Sequence, residues 1–192
     1  MPNDEPKAEL ATKIADHLRE TEGDRLSEEA FPVFSAALAA EHLKLMDEES
    51  GKEDPYRVID PSLTEPGVVY PIHNSELKLM DESTAIAGAL WTLTNNPIAV
   101  LGKLVALLYR LRRKRARLEG EDALALLALK DAPRRGWTVA QVRDHLKQAF
   151  GVTLSEDRVL TLLKGLKDVR LSDNTRTDFA DEHDGLWFTI DV

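Results

Sequence analysis

The chain is expected to adopt a mainly α (α+β) fold, with an N-terminal helical region and a small β component at the C-terminal end. Three observations carry that expectation. Apolar residues recur at helical spacing along much of the 192 residues. Capping and stop signals after residue 120 mark a series of short elements. Apolar and polar residues alternate with period two at 186–191, where a half-buried strand is expected.

A hydrophobic content of 43% with 31% charged residues is that of a globular chain, with room for one medium domain or two small ones. Net charge is −9 and unevenly spread, with 8 basic against 18 acidic side chains in 1–80 and 7 basic against 3 acidic in 81–120. Such a balance lacks the broad basic surface that nonspecific nucleic-acid binding requires. Cysteine is absent, which excludes disulfides, thiolate metal sites and cysteine nucleophiles and fits a cytoplasmic protein. The polar, acidic N-terminus has no basic start followed by an apolar stretch, so no signal peptide is expected.

Residues 7–20 read as an amphipathic helix with Leu10, Ala11, Ile14, Ala15 and Leu18 on one face. A second helix is expected to start near Pro32 and to carry Phe34, Ala37, Leu38, Leu45 and Met46. It ends in Asp47, Glu48 and Glu49, read as a solvated helix end. From about 51 to 75 the chain holds a proline-rich insertion, where Pro55, Pro61, Pro66 and Pro71 exclude a continuous helix. Two readings stay open there, short extended segments at 56–59 and 68–72 or an ordered loop.

Residues 83–94 form the next helical stretch, and Asn96 and Pro97 cap and start another, running to about 118. Because Asn95, Asn96 and Pro97 split the apolar stretch 85–111, neither piece reaches the roughly 20 residues of a membrane span. A membrane role is therefore not expected. A buried hairpin completed by a partner or a second copy is, with Trp91, Leu101, Leu104 and Leu108 as the contact.

The basic run containing Arg110, Arg112, Arg113, Lys114, Arg115 and Arg117 leaves three readings. It complements the helix C-terminal dipole, it faces the acidic N-terminal region within the chain or across a dimer, or it meets phosphate.

From 119 a second domain is expected. Leu124, Leu127 and Leu129 mark a first helix at 121–130, and Trp137 marks a very short strand. Thr138 with Gln141 is a capping box, and Val139, Val142, Leu146, Ala149 and Phe150 follow at helical spacing until Gly151. Ser155 caps a third helix whose inward stripe is Val159, Leu162, Leu163 and Leu166. Then come a short extended piece at 169–171, a polar stretch at 172–185 and the strand at 186–191. This order resembles the winged-helix (winged helix-turn-helix) superfamily over 120–192, with 172–185 as the β-hairpin wing.

The resemblance implies that the third helix enters a DNA major groove. The residues for that use are Arg158, Thr161, Lys164 and Lys167, with Arg143 and Lys147 on the preceding helix and Arg112, Arg113, Lys114 and Arg115 upstream. Glu156 and Asp157 at the front of that helix, and Asp173, Asp178, Asp181, Glu182 and Asp184 in the wing, oppose phosphate. Protein contact is favoured, with Asp178, Asp181, Glu182 and Asp184 facing the partner.

None of the five histidines falls in a HExxH pair, and no Walker A loop, GxGxxG or GxSxG elbow occurs. No catalytic residue, metal site or cofactor is expected. The expected function is that of a non-enzymatic accessory or adaptor subunit of a larger protein complex, with a homodimer as one expected state. The alternative is a dimeric winged-helix DNA-binding transcription regulator.

Overall fold

The computed structural model describes residues 4–50, 72–93, 98–118 and 120–190. Seven helices and four short strands follow one another along them: α1 (Asp4–Glu22), α2 (Ala30–Ser50), α3 (Asn74–Leu93), α4 (Ile98–Arg113), α5 (Gly120–Lys130), α6 (Val139–Phe150), α7 (Glu156–Leu166), β1 (Val169–Arg170), β2 (Arg176–Thr177), β3 (Ala180–His183) and β4 (Leu186–Thr189). The expected mainly α class is observed, with the named strands at the C-terminal end. The segments read at 56–59 and 68–72 (all but Ile72), the cap at Asn96 and Pro97, and the side chain of Trp91 lie outside the described residues.

α1 packs on α2 and α3, and both α2 and α3 pack on α4. The apolar periodicity is spent in these contacts: Leu10, Ile14 and Leu18 from α1 and Phe31, Phe34 and Leu38 from α2 are buried. Gly102 lets α4 approach α2, since a Cβ there would stand 3.0 Å from Val33 Cγ1. α3 begins well before the expected position at 83. The His73 amide donates to the Glu76 carboxylate at 3.1 Å, half of a capping box, and Met80, Ser83, Thr84 and Ala87 form its buried side.

α4 stops at Arg113 rather than near 118. Arg115 takes the left-handed conformation (φ 65°). The Ala116 and Arg115 amides bond the carbonyls of Leu111 (2.8 Å) and Arg112 (2.9 Å), a Schellman closure made without glycine. Ala116 then forms an antiparallel bridge with Leu171, so the connection to α5 is tied to the C-terminal part.

α5 is buried all round: every residue from Ala123 to Leu129 is in the core. It touches α3, α4, α6, α7 and β4. The buried side chains accordingly form one cluster from Leu10 to Trp187, which crosses the boundary expected at 118/119.

The local signals of α6 and α7 appear as read. Thr138 and Gln141 make the reciprocal capping box, Gly151 closes α6 at φ 64°, and the Ser155 side chain accepts from the Arg158 amide. Beyond α7 the expected single wing is two hairpins. β1 pairs with β2, while β4 pairs with β3, not with 169–171. Asp184 (φ 53°) and Gly185 (φ 79°) make the two-residue turn of the second hairpin, both in the left-handed region that such turns require.

Trp137 bridges Trp187 through bonds of 2.8 and 2.7 Å, so β4 lies between Trp137 and β3. A Cβ at Gly136 would stand 2.6 Å from the Trp187 carbonyl oxygen, which reserves that position for glycine. Within β4 it is Trp187 that is buried, while Leu186 and Phe188 are only partly so.

Candidate interaction surface

Arg158, Thr161 and Lys164 stand exposed on α7 at three-residue spacing, as expected for a groove-facing side. Most of the cations assigned there already hold carboxylates. Arg158 pairs with Glu121 at 2.8 Å, Arg143 pairs with Asp144 at 2.7 Å and with Glu156, and Lys167 pairs with Asp181 at 2.7 Å. The Asp181 bond raises the Lys167 pKa, and the Lys167 bond lowers that of Asp181. Lys167 also stands 5.9 Å from the ring centre of Trp187, within cation–π range. Thr161 donates back to the Asp157 carbonyl at 2.8 Å. Lys147 and Lys164 are exposed and make no ion pair among the described residues.

Of the upstream arginines, Arg110, Arg112 and Arg113 are turned inward, while Arg115 stays exposed. Arg110, 7% exposed, binds Glu41 and, at 2.8 Å, Glu48. Arg112 binds Glu82, and Arg113 binds Glu49 at 2.7 Å and Glu76 at 3.4 Å. Of the three readings of the basic run, these residues take the one in which it faces the acidic N-terminal region within the chain. Asp47 and Glu49 at the end of α2 remain exposed, while Glu48 and Glu49 hold Arg110 and Arg113, and the Arg110 bond lowers the Glu48 pKa. Arg115 reaches Asp173 at 3.4 Å, and Lys114 lies exposed beside it.

Leu101, Leu104 and Leu108 are 1% exposed or less, so the face expected to meet a partner or second copy is spent on the chain's own core. α2, α3 and α5 cover α4. The acidic residues fare differently. Asp178, Glu182 and Asp184 are exposed, Asp184 sits in the β3–β4 turn, and Asp181 holds Lys167.

Groups that could serve chemistry are engaged otherwise. His42 Nδ1 lies 2.8 Å from the Tyr109 hydroxyl, both residues fully buried. Burial lowers the His42 pKa and raises that of Tyr109 to about 12, so both stay neutral. His17 meets Asp81 at 2.9 Å in the α1–α3 seam, and Thr21 donates to the same carboxylate at 3.1 Å, not to the imidazole that would activate it. Further along that seam is a cavity of about 380 Å³ lined by Glu22, Leu26, Thr84 and Gly88 among others. Among the described residues the Thr84 hydroxyl that lines it has no hydrogen-bond partner, so Glu22 is not paired with it as a base. Among the described residues no three His, Asp or Glu side chains are placed to hold a metal ion, and no helix is long and apolar enough to cross a membrane.

The structure also assembles a group that sequence reading missed. In β1–β2, Arg170 stands directly opposite Arg176 and Val169 opposite Thr177. The isolated Ala116–Leu171 bridge, with the Ser172 amide donating to Arg115 O at 3.0 Å, lays the connection alongside β1. Continuing its register by one residue sets Arg117 beside Arg170. Ala116, Leu118 and Val169 are buried on one side, while Arg117, Arg170 and Arg176 are exposed on the other. The signal was present in the triplets Ala116-Arg117-Leu118 and Val169-Arg170-Leu171, each an alternation of apolar, Arg, apolar.

No family model, curated protein or solved structure matches the chain.

Proposed function

We propose that the chain is a non-enzymatic accessory or adaptor subunit whose C-terminal part is a winged-helix module used for protein contact. The order α5, Trp137, α6, α7, β3, β4, with β4 between Trp137 and β3, supports the winged-helix reading. On that reading β1–β2 is an added hairpin between the third helix and the wing. The acidic β3–β4 tip, with Glu182 and Asp184, is the proposed partner face.

The observation that carries the choice of protein over DNA is the neutralisation of the α6–α7 cations. Affinity for duplex DNA grows with the number of phosphates a protein neutralises. Here Arg143, Arg158 and Lys167 are already occupied by Glu156, Glu121 and Asp181, which leaves Lys147 and Lys164. Glu156 and Asp157 occupy the approach to the front of α7.

Fluorescence anisotropy with random-sequence duplex DNA at low and moderate salt tests this reading, alongside a photoreactive residue in place of Glu182 in cells. The expected result is no salt-dependent duplex binding and a discrete protein adduct at position 182. Tight, salt-sensitive duplex binding abolished by Lys147→Glu/Lys164→Glu would overturn it in favour of a DNA-binding regulator.

A further inference from the structure

We propose that the row of Arg117, Arg170 and Arg176 docks a short carboxylate-rich segment of a protein partner. This rests on the adaptor reading and adds a surface and a partner chemistry to it.

The row is costly in its own terms. Like charges directly opposite in an antiparallel pair destabilise it, and β1 and β2 are only two residues each, so little packing offsets the repulsion. Neutralisation is selective. Arg115, Arg143, Arg158 and Lys167 hold acids, whereas Arg117 and Arg170 make no ion pair among the described residues. Arg176 pairs with Asp168, so the row holds one acid against three arginines, and a docking carboxylate would have to displace Asp168.

Geometry and charge select the occupant. Adjacent strands lie about 4.8 Å apart, so the three guanidinium groups span roughly 10 Å. Alternate side chains of an extended segment project to one side about 7 Å apart, and guanidinium forks bind carboxylates two bonds at a time. A nucleic acid suits the site less well. Duplex DNA carries a charge every 1.7 Å or so along its whole length, and a chain of net charge −9 resists that field beyond a patch of three cations. A short acidic segment confines its charge to the patch.

The test uses the full chain and a labelled peptide of alternating Glu and Ser, followed by anisotropy at low salt. A Gln/Ser peptide and a single-stranded oligonucleotide of equal charge serve as comparisons. The triple variant Arg117→Ser/Arg170→Ser/Arg176→Ser should bind the acidic peptide at least about tenfold more weakly, with unchanged far-UV circular dichroism. Lys147→Ser/Lys164→Ser should change binding by less than about twofold.

Absence of peptide binding by the wild type, equal weakening by both variants, or preference of the row for the oligonucleotide would each overturn the proposal. A ligand-free readout accompanies it: Arg170→Thr should raise Tm, and an unchanged or lower Tm would count against a row kept at a cost to stability. Duplex binding through Lys147 and Lys164 would instead sink the adaptor reading. Failure of peptide discrimination without duplex binding would sink the row alone.

Discussion

Arg110, Arg112 and Arg113 close α4, while Arg117, a few residues on, stands with Arg170 and Arg176 on a strand surface. The first set sinks among Glu41, Glu48, Glu49, Glu76 and Glu82 and fastens α4 to α2 and α3. The second set faces water with one acid, Asp168, among its members. Residue type is the same in both, and the change of period at Arg115 separates them. Before it the chain turns every 3.6 residues and aims its arginines at neighbouring helices. After it the chain alternates, and Arg117 points away from the side that buries Ala116 and Leu118.

The comparison breaks most readily at Arg110. Arg110→Ala leaves Glu41, 17% exposed, without its cation, and chemical denaturation should show a loss of about 3–5 kcal/mol. A loss near zero would mean that the inward arginines are as solvated as the outward ones. Arg112→Ala, whose partner Glu82 is 39% exposed, should cost less, about 1–2 kcal/mol in the same measurement.

Acid should reveal the first set through its surroundings. His42 has its pKa lowered by burial, so the unfolded chain takes up a proton near pH 6.5 that the fold refuses. Stability is therefore full above that pH and falls below it. Glu48 has its pKa lowered by the Arg110 bond, so a second contribution is present above about pH 4.5 and lost as pH falls further. Thermal melts from pH 7 downward should show both losses in the wild type and in the Arg117/Arg170/Arg176 variant alike. Glu48→Gln should weaken the lower one, and a full-size acid limb in Glu48→Gln would remove Glu48 from the account. The smallest effect has the opposite sign: Arg170→Thr should stabilise the fold by about 0.5 kcal/mol on chemical denaturation.

Where a signal is local, the sequence shows it. The capping box of Thr138 and Gln141, the stop at Gly151 and the cap at Ser155 each depend on residues within one turn, and each is in place. The start of α3 was hidden because Glu76, Lys78, Asp81 and Glu82 interrupt the apolar pattern that Met80 and Ala87 continue. Strands of two residues carry almost no alternation, so nothing local distinguishes pairing of 169–170 with 176–177 from pairing with 186–189.

The candidate surfaces were legible as residue types but not as partnerships. Arg110 and Arg113 meet glutamates more than 60 positions away, at a distance where spacing says nothing. The same limit hid the arginine row, whose members come from the connection and from both strands of a hairpin.

The all-round burial of α5 bears on how this chain could be divided. A helix with a solvent face can travel with either neighbour when a gene is cut and rejoined. α5 has no such face from Ala123 to Leu129, and it fills the space between α3 and α4 on one side and α6, α7 and β4 on the other. A fragment that keeps α5 carries its leucines bare, and a fragment without it carries the socket they filled. Cutting the chain on either side of α5 should therefore expose apolar surface in both fragments.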